Sequence, residues 1–220
     1  MSLTLYYYPD NASLAPHICL RKAGVDFTLS LVERNRGGLT DPAYLALNPH
    51  ARIPTLAVGD PDQGGFVIRE SAAICHYIAE TYPESGLLPA LGTVERARTL
   101  DWLYFATNTI QADLMVSAYA RRYGETSEQI AAVKARAADR VGGHLAIVNR
   151  ELEKTGDWLV ADRPTCADYF LFMLAGWAEQ FKIPDPPSIR PHLLAHARRC
   201  QELPEVIDTF AAEGINFFIS

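Results

Sequence analysis

The order of elements in this chain predicts an α/β unit with a mixed sheet followed by an all-α unit. Two observations carry the prediction. Strand and helix patterns alternate over roughly the first 83 residues, and no convincing strand pattern occurs across residues 93–210. Between the two regions, residues 83–92 are rich in Pro and Gly, as a linker would be. The expected division is therefore 1–83, a linker at 84–93, and a helical unit at 94–220.

Each element follows from its residues. The run LTLYYY (3–8) is short, apolar and aromatic, and reads as a buried strand. PDNAS supplies turn residues, and 14–23 has helical spacing, with Pro16 tolerated in the first turn and Gly24 as the stop. FTLSLV (27–32) is a second strand, so the chain opens β-α-β, the unit that builds parallel pairing. Residues 33–52 are polar, with Gly37, Gly38 and Pro42 and a short helical piece at 43–47. IPTLAV (53–58) opens with a proline, GDPDQGG (59–65) is dense in turn residues, and FVI (66–68) returns, which predicts an antiparallel hairpin. Glu70 and Ser71, with Ser71 as the N-cap, open an apolar helix at 72–82. Long helical periodicity then covers 94–123 and 127–155. Thr165 and Asp168 form a capping box that starts a third helix, and the Pro-rich stretch 184–191 precedes two shorter ones. The capping box is assigned to folding alone.

Composition narrows the function. With 49% hydrophobic and 21% charged residues the chain is globular. A net charge of −6 argues against a nucleic-acid or acidic-membrane partner, since either requires a basic face. No apolar run is long enough to span a bilayer, and MSLTLYYYPDN lacks the basic and apolar regions of a signal peptide, so a cytoplasmic location is expected. Cys19, Cys75, Cys166 and Cys200 form no CxxC pair and read as free thiols, most of them in apolar helical patterns. No metal is expected.

The segments TLYYYPDNASLAPHICLRKAGVDF, NPHARIPTL, IRESAAICHYIAETYP and DRPTCADYFLFMLAGWA, in this order and spacing, resemble the glutathione S-transferase family, most closely its bacterial beta class. The resemblance spans nearly the whole chain. It implies a thioredoxin-like first domain that binds glutathione as co-substrate and a helical-bundle second domain that holds a hydrophobic electrophile. It also implies a cytoplasmic homodimer with a role in detoxification. In the family the bond before Pro54 is cis, which an Xaa-Pro bond tolerates cheaply. The N–H and C=O of Ile53 would then pair with the cysteinyl backbone of glutathione as an added strand does. Glu70 and Ser71 stand where the family places an acidic residue followed by Ser. There the helix N-terminus attracts the γ-glutamyl carboxylate and Glu70 accepts from the ammonium. Arg36, His50 and Arg52 flank the glutathione loop, with Arg52 best placed to pair with the glycyl carboxylate. Tyr104, Asn108, Gln111, Tyr119, Trp177 and the pair Phe217-Phe218 are candidates to line the substrate site; a core role is the competing reading of Trp177.

The turn from Tyr7 to Ser13 is where the chemistry is expected, because an enzyme of this kind must favour the thiolate over the thiol. The beta class places a Cys and a Ser at the end of this turn, and here those positions are Ala12 and Ser13. It also places a His on the first helix of the second domain, where this chain has Gln111. The remaining donors to the sulfur are Ser13, then Asn11, then Tyr7, with backbone N–H groups as the further alternative. His17 is read as structural. Three functions stay open: thiolate transfer to an apolar electrophile, disulfide reduction or peroxidase chemistry of the Nu-like type, and glutathione binding without catalysis. A zeta-type isomerase is disfavoured, because its Ser-Ser-Cys turn is replaced by Asp10-Asn11-Ala12.

Overall fold

A computed structural model describes residues 2–160 and 162–216. Phe217 and Phe218 lie outside them. The chain divides into two units: residues up to Leu88 together with Leu203–Asn216, and Pro89–Glu202.

In the first unit the predicted strands form a four-stranded sheet. β1 (Leu3–Tyr7), β2 (Thr28–Leu31), β3 (Thr55–Val58) and β4 (Phe66–Arg69) lie in the order β2-β1-β3-β4. The β1–β2 pair is parallel, joined through α1 (Leu14–Lys22), and the other two pairs are antiparallel. This is the mixed thioredoxin-like sheet that the element order predicts. The β3–β4 hairpin closes through Gly64, at φ 89°, and Gly65. A Cβ on Gly65 would sit 2.5 Å from the carbonyl oxygen of Val58, so only glycine fits there. Leu5 and Leu56 from the sheet, Leu14, Ile18 and Leu20 from α1, and Ile74 and Ile78 from α3 (Ser71–Thr81) are fully buried and make the core. α2 (Pro42–Leu47) is the short helix expected near 43–47, capped by Asp41.

The second unit contains helices and no strand among its described residues. α4 (Val94–Phe105), α5 (Ala112–Ala118), α6 (Ser127–Thr155), α7 (Cys166–Gln180) and α8 (Pro191–Gln201) make it up. The single helix expected over 94–123 is interrupted: Ala106–Gln111 form a π-helical turn between α4 and α5, and Ala120–Arg122 a 3₁₀ turn. A π-turn adds one residue without altering the apolar content, so a periodicity reading passes over it. α7 is the central element, with every residue from Cys166 to Ala178 buried. Its capping box is present: Asp168 Oδ2 accepts from Thr165 N and Thr165 Oγ1, both at 2.8 Å. Gly142, in the middle of α6, permits a close approach. A Cβ there would lie 3.0 Å from the Pro184 carbonyl oxygen, and the Gly142 carbonyl accepts from Arg190 Nη2 at 2.8 Å.

The last helix, α9 (Pro204–Glu213), packs with the first unit, against α1, although the sequence reading grouped residues 94–220 as one helical domain. Its apolar face, with Val206 and Phe210 buried, has the same 3.6-residue period whichever unit receives it. Pattern alone therefore does not assign it.

Candidate active site

The sheet register brings the predicted glutathione residues to one end. Tyr6 pairs with Thr55, Thr55 with Arg69, and Tyr7 with Leu31. The end of β1, the start of β3 and the ends of β4 and β2 therefore coincide. The Tyr8–Ser13 turn, Ile53-Pro54, Glu70-Ser71 and the loop bearing Arg36 all leave the sheet there.

The Ile53-Pro54 bond is cis. Neither backbone group of Ile53 has a partner among the described residues. The loop before it is held from α2, because the Arg52 carbonyl accepts from Tyr44 Oη at 2.6 Å and from Asn48 Nδ2 at 2.8 Å. Asn48 Nδ2 also donates to Thr55 Oγ1 at 3.0 Å, at the first residue of β3. Burial pushes the Tyr44 phenol above its ordinary pKa, more than its hydrogen bonds to Thr55 and Asn48 lower it, so it remains a donor. Tyr44 and Asn48 were not singled out in the sequence; the NPHARIP segment contains the second, but only the folded loop shows what it holds. Arg52 and Arg36 are exposed, and their guanidinium groups have no partner among the described residues.

At α3 the structure corrects one assignment. The N-cap is Glu70, at φ 71° and ψ 120°, and Ser71 is the first helical residue. No side chain caps this end, and the Glu70 carboxylate, exposed beside it, has no partner among the described residues. The first-turn N–H groups and their partial positive charge are thus left for an outside anion.

In the β1–α1 turn the three candidate donors differ. Ser13 is fully buried, and its hydroxyl donates to the Tyr8 carbonyl at 3.1 Å while accepting from Tyr8 N at 3.3 Å. Its one proton is already engaged. Asn11 is half-buried; its Oδ1 accepts from Ala12 N at 2.9 Å, and its Nδ2 has no partner among the described residues. Tyr7 is half-buried, and burial, then the charge of Glu213, raises its phenol pKa, so it can donate but not act as a base. The neighbouring Tyr8 hydroxyl accepts from Asn35 Nδ2 at 2.7 Å, and the Arg34 guanidinium lies 5.7 Å from its ring centre. Neither residue stood out in the sequence.

No cysteine competes as nucleophile here. All four are buried and outside any disulfide, and burial, with Cys75 next to it, pushes the Cys19 thiol well above its ordinary pKa. His17 is buried and hydrogen-bonded, as its structural reading requires. No group of His, Cys, Asp and Glu able to hold a metal occurs among the described residues. A shallow depression of about 410 Å³ at the other end of α1, lined by Arg21, Lys22, Phe27, Glu205 and neighbours, contains none of the predicted site residues.

The candidate substrate residues belong to the second unit. Tyr104, on α4, is 46% exposed. Asn108 and Gln111 lie on the π-turn, where Gln111 Oε1 accepts from Thr107 Oγ1 at 3.0 Å. Tyr119 follows α5, with the Arg122 guanidinium 4.3 Å from its ring centre. Trp177 is 5% exposed and stacks on Phe181, a core position within this unit.

Comparisons with known proteins agree with the architecture. A model of the glutathione S-transferase N-terminal domain matches residues 12–81, and a model of the C-terminal domain matches residues 111–204. The chain is 32% identical to glutathione S-transferase GstA of Escherichia coli, over 97% of this chain and 100% of that one. It is 33% identical to a maleylacetoacetate isomerase of Pseudomonas aeruginosa over 80% of this chain and 81% of the relative. Against the E. coli disulfide-bond oxidoreductase YfcG it is 33% identical over 47% of each chain. Among solved structures, a glutathione transferase from Methylococcus capsulatus superposes with a TM-score of 0.81 at 37% identity, covering 96% of this chain and 98% of that one. A sphingomonad glutathione S-transferase complexed with glutathione superposes with a TM-score of 0.79 at 31% identity, covering 97% and 100%. With both domain models matched in order and a full-length relative at this identity, the chain belongs to the glutathione S-transferase family and is an enzyme of that type.

Proposed function

We propose that the protein binds glutathione in extended form on its first unit, lowers the pKa of the thiol at the Asp10–Ser13 turn, and delivers the thiolate to an apolar electrophile. The observation that carries this reading is the convergence at one sheet end of three unsatisfied sets of groups. These are the Ile53 backbone, the uncapped first turn of α3 with Glu70 beside it, and Asn11 Nδ2. They match the three parts of the tripeptide: an N–H and C=O pair for the cysteinyl backbone, a positive helix end and a carboxylate for the γ-glutamyl zwitterion, and a donor for the sulfur. Arg52 and Arg36 are the cations for the glycyl carboxylate. Asn11 is the thiolate donor in this reading, because the proton of Ser13 is engaged within the turn. In the reaction, sulfur forms a bond to carbon as a leaving group departs or as an activated double bond takes up the electron pair. Tyr104, Asn108, Gln111 and Tyr119 are the candidates to bind the apolar acceptor, while Trp177, buried against Phe181, packs the core of its unit.

A second reading is favoured by the absence of cysteine from the turn together with Asn11 and the likeness to a disulfide-bond oxidoreductase. In it the same thiolate attacks a disulfide sulfur, and a second glutathione releases the first as oxidised glutathione. The acceptor differs, but the thiol activation is shared.

The working form in both readings is a cytoplasmic homodimer. Four buried cysteines outside any disulfide suit a reducing compartment. Titrating the ultraviolet absorbance of bound thiolate against pH tests the activation step. The wild type should lower the thiol pKa below that of free glutathione, and Asn11→Ala should return it toward the free value with a fall in kcat of about 10- to 100-fold. Binding with no thiol shift in the wild type would overturn the mechanism. Turnover of an aryl halide against a glutathione mixed disulfide separates the two acceptors.

A further inference from the structure

The turn that carries Asn11 is held from the far end of the sequence. Asp10 has φ 53°, in the left-handed region, which Asp enters more readily than most residues with a Cβ. Its N–H donates to Glu213 Oε2 at 3.0 Å, from the last residue of α9. The Glu213 side chain is fully buried. Its other oxygen lies 2.8 Å from His17 Nδ1, also fully buried, and Arg21 Nε donates to His17 Nε2 at 3.2 Å. Because Nε2 accepts, the imidazole is neutral and its Nδ1–H donates to Glu213. Tyr7 and Phe27 both pack edge-on against the His17 ring.

This network is a costly way to join two helices. Burying a carboxylate opposes folding by several kcal/mol before its partners compensate, and an apolar pair would join α1 to α9 at least as well. What an apolar pair lacks is an acceptor for the Asp10 N–H.

We infer that Glu213 is a positioning residue for thiol activation: its carboxylate fixes the backbone at Asp10, and so aims the side chain of Asn11 at the sulfur, while His17 and Arg21 hold the carboxylate in place. The inference rests on the assignment of Asn11 as thiolate donor. Asp10 and Asn11 are adjacent, so a rotation at Asp10 swings the Asn11 amide directly. A misplacement of about 1 Å is enough to cost on the order of 100-fold in rate. Glu213 touches no reacting atom, and its effect passes entirely through the turn.

The test is a cycle of Glu213→Gln and Asn11→Ala, read by steady-state kinetics with glutathione varied, by the pH dependence of kcat/KM, and by the pKa of bound glutathione. Glutamine keeps the shape but cannot accept from both Asp10 and His17 in their present tautomer. Glu213→Gln is expected to lower kcat on the order of tenfold, to leave KM for glutathione within about twofold, and to shift the rise of kcat/KM to higher pH. In the Asn11→Ala background it should add almost nothing, because the group it aims is gone. Glu213→Asp, one methylene shorter, should move the same readouts in the same direction and covers a failure of the glutamine variant to fold. Equal losses from Glu213→Gln in both backgrounds, or a lowered Tm with unchanged kcat and pH profile, would overturn the inference. If Asn11→Ala itself leaves the bound thiol pKa unmoved, the assignment of Asn11 has failed instead, and the two failures are told apart by that single variant.

Discussion

Asn11 and Ser13 show how two residues of similar chemistry are separated by their first partners. In the sequence both are turn formers with a proton to donate, and the retained family Ser favoured Ser13. In the structure the Ser13 hydroxyl closes a small ring with both backbone groups of Tyr8, while the amide of Asn11 is satisfied on its oxygen only. Ser13→Ala is therefore expected to act on stability, leaving part-buried backbone groups of Tyr8 without this partner at a cost of about 1 kcal/mol, which thermal or urea denaturation would read. Its effect on the bound thiol pKa should be smaller than that of Asn11→Ala. The candidate positions themselves were legible, because turn residues in fixed order carry a strong local signal. Their division of labour was not, since it depends on which atoms meet after the turn closes.

Helix starts and ends were the most readable elements. The Thr165–Asp168 box announced itself by spacing, and the structure adds that Asp168 Oδ1 also accepts from Leu159 N and His196 Nε2, both at 3.0 Å. Those two donors come from outside the box and are invisible to a local pattern. Thr165→Ala should thus cost about 1 kcal/mol, as a lost cap does, while Asp168→Ala strips four buried donors and should cost about 3–5 kcal/mol in the same denaturation assay. The capping of α3 was misread by one residue, because Glu70 and Ser71 are both acceptable beside a helix start and only the backbone angles decide between them. Between α5 and α6, Asp113 binds Arg140 and His144; its Oδ2 lies 2.9 Å from Arg140 Nε and 2.9 Å from His144 Nε2. Partial burial pushes the Asp113 pKa up, but these hydrogen bonds outweigh it and hold the carboxyl below its ordinary value. A depressed folded-state pKa stabilises above the unfolded value and is lost as pH falls through the folded one. The stability advantage of wild type over Asp113→Asn should accordingly be full at neutral pH and fade below about pH 4, as unfolding midpoints measured across that range would show.

Over the whole chain, the α/β-then-helical order was legible because strand and helix periods differ and a Pro- and Gly-rich stretch separates them. The path of the C-terminus was not. α9 carries an ordinary amphipathic pattern, and its partner α1 lies nearly two hundred residues earlier, with His17 and Glu213 separated by 196 positions. Contacts at that separation leave no mark on local periodicity. A chain ended before Leu203 should leave the α1 surface beneath Val206 and Phe210 uncovered, and should show a lowered Tm with increased binding of an apolar dye.

The return of α9 also sets an order of events during synthesis. The turn bearing Asn11 is synthesised well before the carboxylate that holds Asp10, which lies 203 residues further along the chain. The first unit can form its sheet early, yet the Asp10 N–H meets its acceptor only after α9 has been made. A chain halted before α9 is then expected to keep the groups proposed to recognise the tripeptide and to lack the brace on Asp10, so that it would hold glutathione with its thiol less activated.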